Sequence, residues 1–132
     1  MQVIFQCMES TLKTTRRSPC PVACTLDIIG DRWTLLVVRD LLFGKHYYQE
    51  FLASPEAIAT NILSARLKML EAAGYIRMVG DAADGRRIRY ELTKKGLTLR
   101  PLMRSIADWG LKNIQKTKIF NPLADPASAV RK

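Results

Sequence analysis

The stretch TNILSARLKMLEAAGYIRMVGDAADGRRIRYEL, residues 60–92, decides the fold. Its first half has the 3.6-residue rhythm of a helix that starts near Thr60, runs to about Ala73 and is stopped by Gly74. Ile62, Leu63, Leu67 and Leu70 fall on one face of that helix, and Asn61, Ser64, Ala65 and Lys68 on the opposite one. The second half changes to two short β-type runs, residues 75–79 and 88–92, with turn residues between them. Asp84-Gly85 in that connection is a favoured hairpin pair. A helix with a small polar outer face, followed at once by a hairpin with a basic tip, is the signature of a helix and its wing.

Upstream, residues 47–53 suit a short helix with Tyr48, Phe51 and Leu52 turned inward, and Ser54-Pro55-Glu56 then make a turn. Two helices joined this tightly form a helix-turn-helix. Further back, Leu26, Ile29, Trp33, Leu36, Val37 and Leu41 recur at helical spacing. Gly30 interrupts the run and Asp31 can cap a restart, so a short helix should precede a longer one ending at Gly44, with Trp33 in the core. Downstream, Thr93 caps a final long helix through Leu97, Leu99, Leu102, Met103, Ile106 and Trp109. Pro101 should either kink its axis or mark a fresh start. The expected fold is mainly α with a small β-hairpin wing, a winged helix-turn-helix. Residues 1–18 form an N-terminal arm or dimerisation segment, 19–118 the domain, and 119–132 a loose tail carrying Pro122 and Pro126.

A chain of 132 residues suits one core. Twenty-one Lys and Arg against 12 Asp and Glu leave a net charge of +9, a field that attracts polyanions. No run reaches the about 18 apolar residues that span a bilayer, and the opening residues 1–8 lack a basic leader and a cleavage site. A cytoplasmic protein with no membrane partner is expected. Cys7, Cys20 and Cys24 are odd in number and form no CxxC pair, so free thiols are expected. The lone His46 lies too far off to complete a zinc site, and neither metal nor cofactor is expected. His46 also lacks the orienting group that a Cys–His hydrolase requires, and no phosphate-binding glycine loop exists, which argues against an enzyme.

The residues that could carry function cluster on the helix and the wing. A helix reading the major groove needs short polar side chains near its N-terminus, which Thr60, Asn61 and Ser64 supply, and Asn can pair bidentately with adenine. Lys68, a turn further on, is placed for phosphate. Arg66 falls beside the apolar stripe, where an inward salt bridge competes with a phosphate contact. On the hairpin, Arg86, Arg87 and Arg89, with Arg77 on the partner strand, can meet the minor groove or phosphates. Asp81 and Asp84 could instead neutralise the loop. Helix-turn-helix plus basic hairpin points to double-stranded DNA more specifically than either part alone.

Cys20-Pro21-Val22, the run from Leu26 to Leu36 (LDIIGDRWTLL), and Arg39-Asp-Leu-Leu42 resemble the opening of the HxlR-type winged-helix regulators, relatives of the MarR group. The resemblance continues through residues 58–68 (IATNILSARLK), Glu71-Ala-Ala-Gly74, residues 90–96 (YELTKKG), Leu99-Arg-Pro-Leu102 and Trp109-Gly110. It covers about residues 20–118. Asp31 stands where a Gly is common, and His46-Tyr47-Tyr48 replaces a basic-then-Phe run. The resemblance implies a dimeric promoter-binding transcriptional regulator, with residues 60–68 as recognition helix and terminal helices in the dimer. It also implies a thiol position at Cys20 that senses oxidants or electrophiles in some members, and Arg16 and Arg17 nearby could favour the thiolate.

The final helix offers Leu102, Met103, Ile106, Trp109 and Ile114, more apolar surface than one small domain covers; Val3, Ile4, Phe5 and Leu12 add a second face. A homodimer through terminal helices, sitting on an inverted repeat, would hide both. An oxidant or a small molecule is the class of signal expected. The competing reading is a winged-helix module for protein contacts without DNA; dependence of binding on the wing arginines separates the two.

Overall fold

Pro21 has no N–H to leave unpaired and its ring presets a helical φ, so α1 begins there and runs Pro21–Ile29. The computed structural model describes residues 16–80 and 85–119. The expectations placed on Val3, Ile4, Phe5, Cys7 and Leu12, on Asp81 and Asp84, and on the tail from Phe120 lie outside the described residues. The anticipated cap at Asp31 is present. One carboxylate oxygen accepts the Trp33 and Thr34 amides at 2.9 and 3.0 Å, and the other accepts the Thr34 hydroxyl at 2.5 Å. This starts α2, Thr34–Leu42. Gly44, at φ 101, turns the chain out of it.

The short helix α3, Tyr48–Leu52, is opened by Glu50, whose carboxylate accepts the His46 and Tyr47 amides at 2.9 and 3.0 Å. After the turn comes α4, Thr60–Ala72, and Gly74 at φ 86 ends it. Strands β1, Ile76–Gly80, and β2, Ile88–Leu92, pair antiparallel with Ile76 opposite Leu92 and Arg77 opposite Glu91. The strand alternation turns Ile76, Tyr90 and Leu92 toward the core and leaves Arg77, Arg89 and Glu91 on the other face.

The final long helix is two helices, α5 at Lys94–Leu97 and α6 at Leu99–Asn113. Thr93 caps α5 as expected, its hydroxyl accepting the Gly96 amide at 3.1 Å. Pro101 takes the third position of α6, where a helix N–H has no partner within the helix, so it marks a fresh start and not a kink. Gly96 lets α5 press onto the start of the hairpin: a Cβ there would come 2.1 Å from the Tyr75 carbonyl oxygen.

The core gathers Val37, Val38 and Leu41 of α2, Phe51 of α3, Leu63, Leu67 and Leu70 of α4, then Ile58, Ile76 and Leu99. Trp33 packs partly buried against it. Leu26 does not: with Val22 it stays exposed, and α1 buries Cys24 and Ile29 instead. Ile62 is half-buried at the edge of the α4 stripe. The fold is mainly α with one two-stranded hairpin, and it holds α4 between α2, α3 and the wing.

Candidate nucleic-acid interface

Because Leu63, Leu67 and Leu70 are sunk in the core, the opposite face of α4 must look outward. Thr60, Asn61, Ser64, Ala65 and Lys68 are all exposed there. The Ala59 N-cap contributes no side-chain hydrogen bond, so the first amides of α4 have no side-chain cap. Tyr48 joins the two helices of the motif. Its hydroxyl donates to the Thr60 carbonyl and lies 2.9 Å from Ser64 Oγ, so the Ser64 hydroxyl donates back to it. Ser64 therefore presents its lone pairs outward with its proton already engaged.

Arg66 turns inward. Its Nε lies 3.0 Å from Asp31 Oδ2 in an ion pair, without the alignment of a hydrogen bond. The Asp31 carboxyl is partly desolvated, which by itself raises its pKa, but the Thr34 hydroxyl, the Trp33 and Thr34 amides and the Arg66 charge outweigh this and hold it below its ordinary value. One residue thus caps α2 and fastens α4.

The turn between α3 and α4 rests on a buried polar group that the sequence reading did not isolate. Arg39 donates two bonds to Glu56, at 2.8 and 2.9 Å, and two to Asp40 Oδ1, at 3.0 and 2.9 Å. Asp40 Oδ2 accepts the Ser54 hydroxyl at 2.5 Å, and the buried Lys45 ammonium donates to Ser54 Oγ and to the Glu50 carbonyl, each at 2.9 Å. Two cations and two anions balance, which is how Asp40, Lys45 and most of Arg39 stay out of water at the end of α2 while Glu56 keeps one side to solvent. Ala57 in this turn holds φ 59, a conformation that L-residues other than Gly, Asn and Asp rarely adopt.

On the wing, Arg77 and Arg89 share one carboxylate. Glu91 accepts Arg77 at 3.0 Å and Arg89 at 3.0 Å, from opposite oxygens, and the trio keeps a single net positive charge. The guanidinium of Arg87 stacks 3.6 Å over the Tyr47 ring, clamping the hairpin to the start of α3. His46 strengthens that seam: its carbonyl accepts the Tyr90 amide at 2.8 Å and its Nδ1 lies 2.9 Å from the Tyr90 carbonyl. Arg86 is exposed at the hairpin's end. The structure thus brings Thr60, Asn61, Ser64 and Lys68 together on α4, and Arg77, Arg86, Arg87 and Arg89 on the hairpin. Of the residues that hold the two parts in place, Tyr48 was legible as an inward position of the short helix, while nothing in the periodicity marked His46 or Tyr47.

Cys20 is exposed at the N-cap of α1, and the amides of Ala23 and then Val22 lower its thiol pKa. The arginines expected to do this work elsewhere. Arg16 reaches Cys24 Sγ at 3.7 Å and Arg17 pairs with Asp27, so the helix opening, not the arginine pair, acts on Cys20.

A model of the HxlR-like helix-turn-helix family matches residues 28–118. The uncharacterised HTH-type transcriptional regulators YdeP and YybR of Bacillus subtilis strain 168 are 36% and 32% identical over 93 and 94 residues. These matches cover 70% and 71% of this chain and 73% and 75% of the relatives. Among solved structures, PA1607, a candidate transcription factor, superposes with TM-score 0.69 at 36% identity, covering 79% of this chain and 74% of that one. The redox regulator HypR in its oxidised form gives TM-score 0.65 at 30% identity, covering 76% of this chain and all of its own, 100%.

Proposed function

The chain belongs to the HxlR-like helix-turn-helix family, and on that premise we propose that it is a sequence-specific transcriptional regulator working as a homodimer on inverted-repeat operators. The observation that carries the reading is the exposed polar face of α4, with Thr60, Asn61, Ser64 and Lys68, beside a hairpin that carries Arg86 and Arg87. Asn61 and Thr60 meet base edges, Ser64 offers lone pairs to a base donor, and Lys68 meets phosphate. Arg86 and Arg87 lie against the backbone or in the minor groove, and the Arg77–Glu91–Arg89 trio adds one positive charge behind them. Arg66 positions α4 through Asp31.

Two features support a pair of subunits. Of the fifteen residues of α6 only Leu99 is buried, while Ile106 and Trp109, and Ile114 just past its end, stand exposed. Val22 and Leu26 add an outward apolar face on α1. The test is a binding comparison between a selected operator and random duplex. Asn61→Ala should cost about 1–3 kcal/mol on the operator and leave random DNA unchanged. Equal loss on both would confine α4 to backbone contacts, and no DNA binding by the wild type would favour the protein-contact module.

The geometry of Cys20 favours a redox response in the same protein. An exposed thiol with a lowered pKa attacks hydrogen peroxide: the thiolate sulfur bonds one peroxide oxygen as the O–O bond breaks, giving a sulfenic acid and hydroxide. Peroxide should change operator affinity in the wild type and not in Cys20→Ser. An identical response in both would assign Cys20 to structure alone.

A further inference from the structure

Tyr48 reaches from α3 to the first turn of α4 and makes two polar contacts there. Its hydroxyl oxygen lies 2.9 Å from the Thr60 carbonyl oxygen and 2.9 Å from Ser64 Oγ. A carbonyl oxygen only accepts, so the single phenolic proton is committed to Thr60. The second contact is then a bond only with Ser64 as its donor. Were Tyr48 to donate to Ser64 instead, two oxygens would face each other at Thr60 with no proton between them. Both contacts are satisfied in one way only. The common alternative for a helical serine, donating to the carbonyl four residues back, is closed. That carbonyl belongs to Thr60, which already takes the Ser64 amide of the helix and the Tyr48 hydroxyl.

We propose, resting on the DNA reading of α4 above, that Tyr48 fixes which bases the recognition helix accepts. By holding the Ser64 proton it makes Ser64 an acceptor only, which selects adenine or cytosine at one operator position on the strand that Ser64 faces.

The chemistry of the major groove gives this polarity its meaning. A serine hydroxyl whose proton is unengaged turns to donate or to accept, and so meets any base. Adenine N6 and cytosine N4 are the donors displayed in the major groove; guanine shows N7 and O6, and thymine O4 beside a methyl group. Ser64 is exposed on the same face as Asn61 and Lys68. Opposite an amino group its lone pairs complete a bond while the Tyr48 bond stays intact. Opposite guanine or thymine they meet another acceptor, and a bond to the base forms only if Ser64 gives up Tyr48. Asn61, one turn earlier, carries both a donor and an acceptor and reads adenine by itself. Ser64 with Tyr48 adds a second contact of fixed polarity.

The competing role for Tyr48 is a latch that merely fastens α3 to α4, and base preference separates the two. Affinities of the full chain are measured by fluorescence anisotropy for a duplex that the wild type selects from a random pool, and for duplexes with each base pair changed in turn. The position that Ser64 reads is the one where Ser64→Ala alters the base ranking. There the wild type should bind adenine or cytosine about five- to tenfold tighter than guanine or thymine, the factor that one unmade hydrogen bond provides. Tyr48→Phe frees the Ser64 proton and should abolish most of that preference, while the rankings at other positions hold. Purine in place of adenine, or 2-pyrimidinone in place of cytosine, deletes the amino group; it should cost the wild type the same factor and Ser64→Ala nothing beyond any loss of base pairing. A Tyr48→Phe protein that kept the full preference, or lost affinity evenly at every position, would overturn the proposal and leave Tyr48 a latch. A wild type that preferred guanine or thymine there would overturn it too. Base preferences that followed Asn61→Ala but never Ser64→Ala would sink the Tyr48–Ser64 device and leave α4 as the reading helix. A wild type that bound every duplex alike, or none, would sink the DNA reading of α4 itself.

Discussion

Glu56 and Asp40 share one guanidinium and are pushed in opposite directions. Hydrogen bonds from Arg39 hold the Glu56 carboxyl below its ordinary value, against some desolvation. Burial raises Asp40, and bonds from Ser54 and Arg39 only partly offset it. The consequences for stability follow from those signs. Glu56, lowered in the folded state, stabilises the protein above the ordinary Glu range, and this is lost as pH falls through its lowered value. Asp40, raised in the folded state, costs stability at neutral pH, and the cost disappears as pH falls through its raised value. Replacing Glu56 by Gln isolates the first effect. With Glu56 partly exposed, the loss at neutral pH should be about 1 kcal/mol after discounting for solvent. Urea unfolding of both proteins across the acid range should show the gap closing at low pH; a gap that stayed constant would mean the pair contributes no charge-dependent stability. At this scale the sequence was partly legible. The outward set on α4 followed from the helical wheel, and Asp31 announced itself as a cap. An inward salt bridge was one of two alternatives for Arg66, but its partner Asp31, and the pairing of Arg77 with Glu91, follow only from helix packing and strand register.

The hairpin shows what an element needs beyond its own sequence. Its turn residues and β-type runs made it readable, yet a two-stranded ribbon is marginal alone. The His46 bonds to Tyr90 and the Arg87–Tyr47 stack hold it against α3. Tyr47→Ala should therefore speed amide exchange along β2 and weaken DNA binding moderately. Arg86→Ala with Arg87→Ala should do more: if both arginines touch phosphate, the slope of log affinity against log salt should flatten by about 1.8, at about 0.9 per contact. An unchanged slope in the double variant would remove the wing from the interface. The junction of α5 with the hairpin gives a stability test. Gly96→Ala pushes a methyl group into the Tyr75 carbonyl and should cost about 1–3 kcal/mol in thermal unfolding; a neutral result would mean that α5 shifts freely. The α5–α6 break was legible only as a choice. Pro101 fits both a kinked helix and a new first turn, and the Thr98 break between the helices decides for the second.

For the whole molecule, surfaces matter more than any single bond. The +9 charge steers the chain to DNA, but charge alone cannot place two reading heads. The apolar stripe on α6 can. Trp109 is 62% exposed and Ile106 46%, so neither owes its place to the monomer's core, whereas Leu102 and Met103 of the same predicted patch pack against that core. Burying Trp109 and Ile106 across a two-fold axis places the same residues on both sides of one contact. Two copies of α4 set about 34–36 Å apart would then meet successive major grooves on one face of the duplex. Because these side chains are exposed in the single chain, Ile106→Glu with Trp109→Glu should leave the fold intact while splitting the dimer. Sedimentation of the wild type should give about twice the chain mass and of the variant about one. The variant should keep its circular dichroism and its weak binding to an isolated half-site, and lose the tight binding to the inverted repeat. A wild type that sedimented as a monomer yet bound a single asymmetric site tightly would reject the paired arrangement, as would a variant that stayed dimeric at full operator affinity.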